Sequence, residues 1–323
     1  MFEMVRLAAP ADFGFVKHAW TTCFDDPEKF VSWNFTRNYM PENTLIAEAD
    51  GRPASNMQLM PYRICLNGTV WKGSYISGVA TLPAYRHRGL VRELFAAAFP
   101  LMQKRGIPVS LLVPFDYGFY EKFGYRECYK KKTALPCIPP AHCSGLRQIS
   151  DQLIAELNRI YLAAMLDKNG YVLRSPKDWQ LILEDIIENS GGAVYLHTGA
   201  DKTADGYLLY ADGKAQECCG IPPFSVDYES EKPFAMARLI DVQAVLADLA
   251  SGYTGSFAVK VTDANIPQNN RCLRIENGRV AETDGYDFEA DIRFLTQLVF
   301  GTAEDPFCTG FFRRSETWVN LLL

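Results

Sequence analysis

The stretch from Val79 to Leu94 reads VATLPAYRHRGLVREL, and it restricts the fold more than any other part of the chain. A strand-like run, Ile76 to Thr81, precedes it, and an amphipathic run follows. Between them stand Arg86, His87, Arg88 and then Gly89. A strand that passes into a helix through a cationic turn closed by glycine has the makings of an anion site. The first N–H groups of a helix have no partner within it, and together with the macrodipole they favour negative charge. Glycine lets the backbone approach a diphosphate closely, and Arg86 and Arg88 add charge-assisted donors. A solvated basic turn is the other reading of the same residues.

Composition narrows the partners. With 323 residues the chain is long for one domain, and two or three are expected. A hydrophobic content of 48% and a charged content of 22% are those of a soluble globular protein. The net charge of -5 argues against nucleic acid and is compatible with a small cationic substrate. No apolar run approaches the ~18 residues that would span a bilayer. The N-terminal MFEMVRLAAPADF carries charge too early for a signal peptide, so a cytoplasmic location is expected. The cysteines at 23, 65, 128, 137, 143, 218, 219, 272 and 308 are odd in number and irregularly spaced, as reduced thiols would be. Cys137, His142 and Cys143 form a small cluster, but no second Cys/His pair has metal-site spacing, and no metal is expected.

Residues 1 to about 135 read as alternating strands and helices. PADFGFVKHAWTTCF (10–24) predicts a first helix with Phe15, His18, Ala19 and Cys23 near one face. Asp50-Gly51 and Asn67-Gly68 are hairpin signals between strand patterns. IPVSLLVP (107–114) is a short apolar strand, and TALPCIPPAHCSG (133–145) is a linker. Two helices are expected in ISDQLIAELNRIYLAAML and SPKDWQLILEDIIEN, the second capped by Ser175 with Pro176 and Asp178 in its first turn. GAVYLHTG and DGYLLYADG read as strands, and PPFSVDYESEKP (222–233) as a second linker. A helix over AMARLIDVQAVLADLASG, stopped by Gly252, opens the last segment; SFAVKVTDANIP, RCLRIENGRVAE and DFEADIRFLTQLVFG then give two strands and a helix.

About thirty residues beyond the turn the chain reads FYEKFGYRE (119–127). With this second motif in place, YRHRGLVREL resembles the acetyl-coenzyme-A signature of the GNAT acetyltransferase superfamily, Arg/Gln-x-x-Gly-x-Gly/Ala, and FYEKFGY resembles that superfamily's Phe-Tyr-x-x-x-Gly-Tyr/Phe motif. Val91 stands where the signature has Gly or Ala. RHRGLVR is similar instead to the variant of the Eis-like ("enhanced intracellular survival") acetyltransferases, Arg-Arg-Gly followed by two aliphatic residues and Arg. NGYVLRSPKDW (169–179) resembles the start of their second region, and MARLIDVQAVL (236–246) the start of their carrier-like domain.

The resemblance implies an α/β (α+β) fold class: a GNAT mixed-sheet domain over 1–135, a degenerate, shortened GNAT-like region over 146–225, and a sterol-carrier-protein-like α+β domain over 231–323. It implies acetyl-CoA as cosubstrate. Val79, Ala80 and Thr81 would offer backbone groups to the pantetheine arm, and the amides of Arg86, His87, Arg88, Gly89, Leu90 and Val91 would hold the pyrophosphate. It also implies a homo-oligomer, a hexamer in related proteins. Pro100 should end the following helix near Phe99.

Acetyl transfer from a thioester to an amine needs a neutral amine, a donor to the carbonyl as charge develops, and a proton for the departing thiolate. Tyr120 is expected to supply that proton, since a phenol of pKa near ~10 is protonated at neutral pH. A packed core tyrosine is the alternative, with Tyr117 and Tyr125 nearby. No Glu or His stands out as a base. The resemblance implies that the chain's own C-terminal carboxylate, that of Leu323, reaches the active site. Asp25, Asp26 and Trp33, in FDDPEKFVSW, and Asp116 are candidates for binding a primary amine such as an aminoglycoside, a polyamine or a lysine. The expected activity is an N-acetyltransferase working by direct transfer in a ternary complex; a non-catalytic coenzyme A or lipid carrier is the alternative.

Overall fold

The computed structural model describes residues 4–312 and 316–318. Along the chain, β1 (Met4–Leu7), α1 (Phe13–Cys23) and α2 (Glu28–Asn38) precede the strands β2 (Thr44–Ala49), β3 (Arg52–Leu66) and β4 (Thr69–Thr81). Helix α3 (Leu90–Lys104), β5 (Val109–Leu112), α4 (Tyr117–Glu121) and β6 (Arg126–Lys131) follow. Next come α5 (Asp151–Ala164), β7 (Tyr171–Val172), α6 (Pro176–Glu184), β8 (Ala193–Thr198), β9 (Ala204–Ala211) and β10 (Lys214–Gly220). The last elements are β11 (Lys232–Leu239), α7 (Val242–Ala250), β12 (Ser256–Thr262), β13 (Arg271–Glu276), β14 (Arg279–Glu282), β15 (Phe288–Asp291) and α8 (Ile292–Phe300). No described helix is long and apolar enough to cross a membrane.

The chain divides into two compact units, Met1–Cys128 with Phe234–Thr317, and Tyr129–Pro233 with Trp318–Leu323. The first is built on a mixed sheet in the order β1-β2-β3-β4-β5-β11-β6. Both hairpin signals operate as read: Asp50 and Gly51 have φ of 54° and 72°, Asn67 and Gly68 of 52° and 86°. Two left-handed residues in succession are what a two-residue hairpin turn demands. Helix α3 covers one face, burying Leu94, Phe95, Ala98, Phe99 and Met102 in a core with Leu45, Ala47, Met57 and Leu59. Side chains alternate along a strand, so Ile46 faces the opposite way, into a cluster with Val16, Val31 and Phe35 from α1 and α2. The expected face of α1 is shifted: Val16 and Ala19 are buried while His18 is exposed.

Three expectations fail here for physical reasons. Helix α3 runs through Pro100 to Lys104 and does not end at Phe99. Pro100 and Ala96 are exposed, so the carbonyl that loses its N–H partner faces water, while the buried row from Leu94 to Met102 holds both halves of the helix. The segment read as one helix from 235 begins as a strand. Ala235, Met236, Ala237, Leu239 and Ile240 are all fully buried, and Met236 to Leu239 pair antiparallel with Leu112 to Val109. An apolar run buried on both faces has no period by which to tell strand from helix; Asp241 then caps α7 by accepting from Ala244 N at 3.0 Å. RCLRIENGRVAE is a hairpin turning at Asn277-Gly278, φ 47° and 79°, and the separate strand β15 precedes α8.

Because β11 completes the first sheet, the region from 231 does not separate from the N-terminal region as a compact body. It adds a second sheet, ordered β14-β13-β12-β15, to the same unit. Here β12 pairs antiparallel with β13 and parallel with β15.

The second unit has a three-stranded antiparallel sheet, β10-β9-β8, with α5 and α6. Ser175 caps α6 in a reciprocal box with Asp178, with Pro176 in the first turn. Strand β10 was not anticipated; Ala215, Glu217 and Cys219 are its inward positions. Its buried charge hides in the core: Arg174 donates to both oxygens of Glu217 at 2.7 Å, and Tyr207 OH to Glu217 at 2.6 Å. The Arg174 guanidinium also lies 4.4 Å from the Tyr161 ring and 4.7 Å from that of Trp179.

Candidate active site

The cationic turn is built from the end of β4 to the start of α3. Leu82 leads into a helical turn at Pro83–Tyr85, Arg86 is extended, and His87 and Gly89 have φ of 63° and 82°. A left-handed histidine is uncommon outside turns, and left-handed residues on either side of Arg88 turn the backbone sharply ahead of α3. Gly89 is the N-cap of α3, with no side chain to cap it. The amides that open the helix, those of Leu90 and Val91, therefore point away from it without an intrahelical acceptor. Arg86, His87, Arg88 and Gly89 are exposed. The two arginines differ. Arg86 is tied back to the strand, its Nε donating to Thr81 O at 3.2 Å. Arg88 forks onto Asp50 at 2.7 and 3.1 Å, and the guanidinium holds that carboxyl below the usual carboxylate range. It also lies 5.6 Å from the Tyr85 ring.

Strand β4 supplies the second part. It pairs in parallel with β5 only at Gly73–Val109, Ser74–Ser110 and Tyr75–Leu111. Beyond Tyr75 the two strands part, so the edge of β4 from Ile76 to Thr81 is not laddered to β5. On its other side β4 carries a bulge: Ser77 faces Gln58 and Ala80 faces Asn56, which leaves Gly78 and Val79 opposite Met57. Gly78 has φ +56°, and a Cβ there would sit 2.6 Å from Gln58 Nε2 and 2.7 Å from the Trp20 ring. Asn56 Nδ2 donates to Gly78 O at 2.7 Å. Ser55 Oγ donates to Ala80 O at 2.9 Å and is 2.8 Å from Thr81 Oγ, so Ala80 and Thr81 are held from the β3 side while Val79 packs against the α3 core.

The third part is Tyr120, in α4, on the turn after β5. Asp116 caps this helix, its Oδ1 accepting from Phe119 N at 2.7 Å. Tyr120 is buried at 4% exposure amid the rings of Phe95, Phe115, Phe119 and Tyr125. Burial, with a contribution from Tyr75, pushes its phenol well above the ordinary value. Tyr75 is pushed up to about 12 by burial. Tyr125 is a core residue: it is fully buried and 2.7 Å from Ser110 Oγ.

The acceptor candidates are dispersed. Asp26 accepts from Trp20 Nε1 at 2.9 Å, and the Trp20 ring covers Gly78, so this carboxylate is linked to the bulge. Asp25 is exposed, and Trp33 packs with Phe30 on α2 at 5.8 Å. Asp116 is occupied as a cap. Leu323 lies outside the described residues; the backbone N–H of Trp318 donates to Asn169 O at 3.1 Å in the second unit. Sequence reasoning missed Gly78, Trp20 and Cys23, whose Sγ is 3.4 Å from Thr81 O and 3.7 Å from Arg86 Nη2. A glycine inside a strand pattern was the available signal for the bulge.

Splayed strand, open helix start and buried phenol now stand in one segment. Residues 4–128 match the acetyltransferase (GNAT) domain. The N-acetyltransferases Eis of Mycobacterium tuberculosis and Mycobacterium bovis are 26% identical over 249 residues, covering 70% of this chain and 56% of each relative. The chain thus spans little more than half the length of these curated relatives. A GCN5-related N-acetyltransferase from Anabaena variabilis superposes with a TM-score of 0.78 at 16% identity, covering 98% of this chain and 99% of that one. Eis1 from Mycobacterium abscessus does so with a TM-score of 0.76 at 15% identity, again covering 98% and 99%. The chain shares the mixed α/β fold of these proteins, as the two motifs led one to expect, and the domain match supports an acyltransferase.

Proposed function

We propose that the protein is an acetyl-CoA-dependent N-acetyltransferase that acts on a primary amine by direct transfer in a ternary complex. The observation that carries this reading is the parting of β4 from β5 directly upstream of the turn at 86–91. A strand edge not laddered to β5 leads there into the amides that open α3, which have no intrahelical acceptor. The residues fit coenzyme A. Val79 to Thr81 would offer main-chain groups to an amide-bearing arm, and the amides of 87–91 with the Arg86 side chain would offer donors to a diphosphate, the Arg86 amide itself donating to Pro83 O at 3.3 Å. Asp50 already engages Arg88, which makes Arg86 the main side-chain donor.

The neutral amine attacks the thioester carbonyl; a C–N bond forms, the C–S bond breaks, and the proton needed by the sulfur comes from Tyr120 OH. A phenol kept protonated by apolar surroundings is suited to that role. The polar neighbours of the Cys23 thiol are a main-chain carbonyl and a guanidinium, neither of them a general base, which favours direct transfer over an acyl-enzyme. Asp26, held beside the bulge by Trp20, is the acidic residue best placed to attract an aminoglycoside, polyamine or lysine cation, with Asp25 and Trp33 as further candidates. Region 231–323 is read as sterol-carrier-like, the assembly as a homo-oligomer and the location as cytoplasmic, all on the family resemblance.

The test is a thiol-release screen with acetyl-CoA against kanamycin, spermidine and a lysine peptide. Turnover with at least one amine is expected; coenzyme A binding without turnover on any of them would leave the carrier alternative. The Leu323 carboxylate is proposed as the base, so residues appended after Leu323 should depress turnover. Full activity in such a protein removes that carboxylate from the mechanism.

A further inference from the structure

The turn that follows Tyr120 is held from the C-terminal part of the same compact unit. Helix α4 spans 5 residues, too few to stand by itself. The carbonyl of Tyr120 accepts from Phe123 N at 3.0 Å and Tyr125 N at 3.3 Å, which folds the chain back beneath the phenol. The carbonyls of Lys122 and Phe123 then leave the helix end without backbone partners in the turn. Both are caught by distant side chains: Asn265 Nδ2 donates to Lys122 O at 3.1 Å, and Arg238 Nη1 donates to Phe123 O. Gly124, at φ +77°, has no side chain to collide with the same guanidinium.

Arg238 is itself fixed. It is fully buried in β11, its Nη2 bonds both oxygens of Asp263 at 2.8 and 2.6 Å, and its guanidinium lies 4.3 Å from the Phe99 ring. Asp263 also accepts from Asn265 N at 2.9 Å, Ile266 N at 3.1 Å and Asn269 Nδ2 at 2.9 Å. One loop, 263–269, therefore orients both donors that close the end of α4. Apolar side chains of the same volume could join β11 to the core without burying charge. What Arg238 and Asn265 add is a directed donor to each carbonyl of the turn.

We propose that Arg238, Asp263 and Asn265 are positioning residues for acetyl transfer: they fix the turn that sets the Tyr120 phenol against the departing thiolate. This rests on the reading of Tyr120 as the acid. The C-terminal region thereby contributes to chemistry in the N-terminal domain without touching a substrate.

The test is a double-mutant cycle on the full chain. Asn265→Ala lies in a half-buried loop, whereas Arg238→Lys keeps the charge and loses the fork. Each is made with Tyr120 intact and with Tyr120→Phe, and thiol release from acetyl-CoA is followed with the amine from the panel that turns over. Asn265→Ala should lower kcat about three- to tenfold, with the coenzyme A dissociation constant and the melting temperature nearly unchanged, and that loss should vanish in the Tyr120→Phe background. An equal loss in both backgrounds, or no loss with Tyr120 intact, overturns the proposal. Undiminished turnover of Tyr120→Phe alone overturns the reading beneath it, as does a panel in which no amine is acetylated.

Discussion

In the second unit, Arg174 and Glu217 are sealed within one core, where Tyr161, Trp179 and Tyr207 surround them. In the first, Arg238 and Asp263 are as deeply buried, yet one guanidinium nitrogen reaches the carbonyl of Phe123 in the turn beyond Tyr120. Similar pairs thus serve different ends. The first closes an interior, and the second connects an interior to a segment whose placement matters. Among the described residues, uncharged buried groups without a partner occur in both units, such as Trp318 Nε1 in the second and Tyr39 OH in the first. Asn56 Oδ1, Gln58 Nε2 and Ser74 Oγ, all on β3 and β4 of the first unit, are buried without a partner among the described residues. Buried polar groups are ordinarily satisfied. Their concentration around the bulge and the splay marks that sheet as one shaped by something besides stability.

The largest effect is expected where the sealed pair is broken. Glu217→Gln removes the carboxylate that neutralises the Arg174 guanidinium in the core of the second unit. It should lower unfolding stability by about 3–5 kcal/mol, measured by urea denaturation, while the folded protein binds coenzyme A with unchanged affinity. A changed affinity would mean that the second unit's core is not independent of the site. Next in size, Tyr120→Phe should cut turnover tenfold or more, about 1.4 kcal/mol of barrier, with little change in cofactor affinity. Undiminished turnover would reject its role as acid.

The smallest effect is on pH. Tyr75, Tyr120 and Tyr125 in the first unit and Tyr161 and Tyr207 in the second all have pKa values raised by burial. A raised phenol binds its proton in the folded state after the unfolded chain has released it. The associated stability is present below pH ~10 and is lost as pH rises past it, through about 12 for Tyr75. The thiols of Cys128, Cys218, Cys219 and Cys308, likewise raised by burial, start the same loss near pH 9. The melting temperature should therefore begin to fall there and fall more steeply above 10, while turnover shows no loss from Tyr120 ionisation up to that point. A fall in turnover with an apparent pKa near 8 or 9 would show that the phenol is not held protonated.

What the sequence disclosed and what it concealed follow from the range of the interactions. The hairpins at Asp50-Gly51 and Asn67-Gly68 and the strand-turn-helix around Gly89 are local: a few residues carry both the conformation and its cause. The helix through Pro100 was hidden because the compensation lies in a buried row that runs on to Met102. Strand β11 was hidden because burial on two faces erases the alternation by which strands are read. The occupation of Arg88 by Asp50 and the grip of Arg238 on Phe123 were beyond reach, since each joins residues 38 and 115 positions apart. The turn at 86–91 and the short helix carrying Tyr120 stand where the motif order put a strand-turn-helix and a second motif, whereas the capping of that helix by Asp116 was not read from the sequence.

The central claim is that the turn at 86–91 grips a diphosphate. Isothermal titration of the full chain with coenzyme A, beside Arg86→Ala, tests it most directly. The account predicts saturable one-site heat for the native protein and an affinity at least tenfold weaker for the variant. No heat with coenzyme A or acetyl-CoA, or equal affinity in the two proteins, would contradict it.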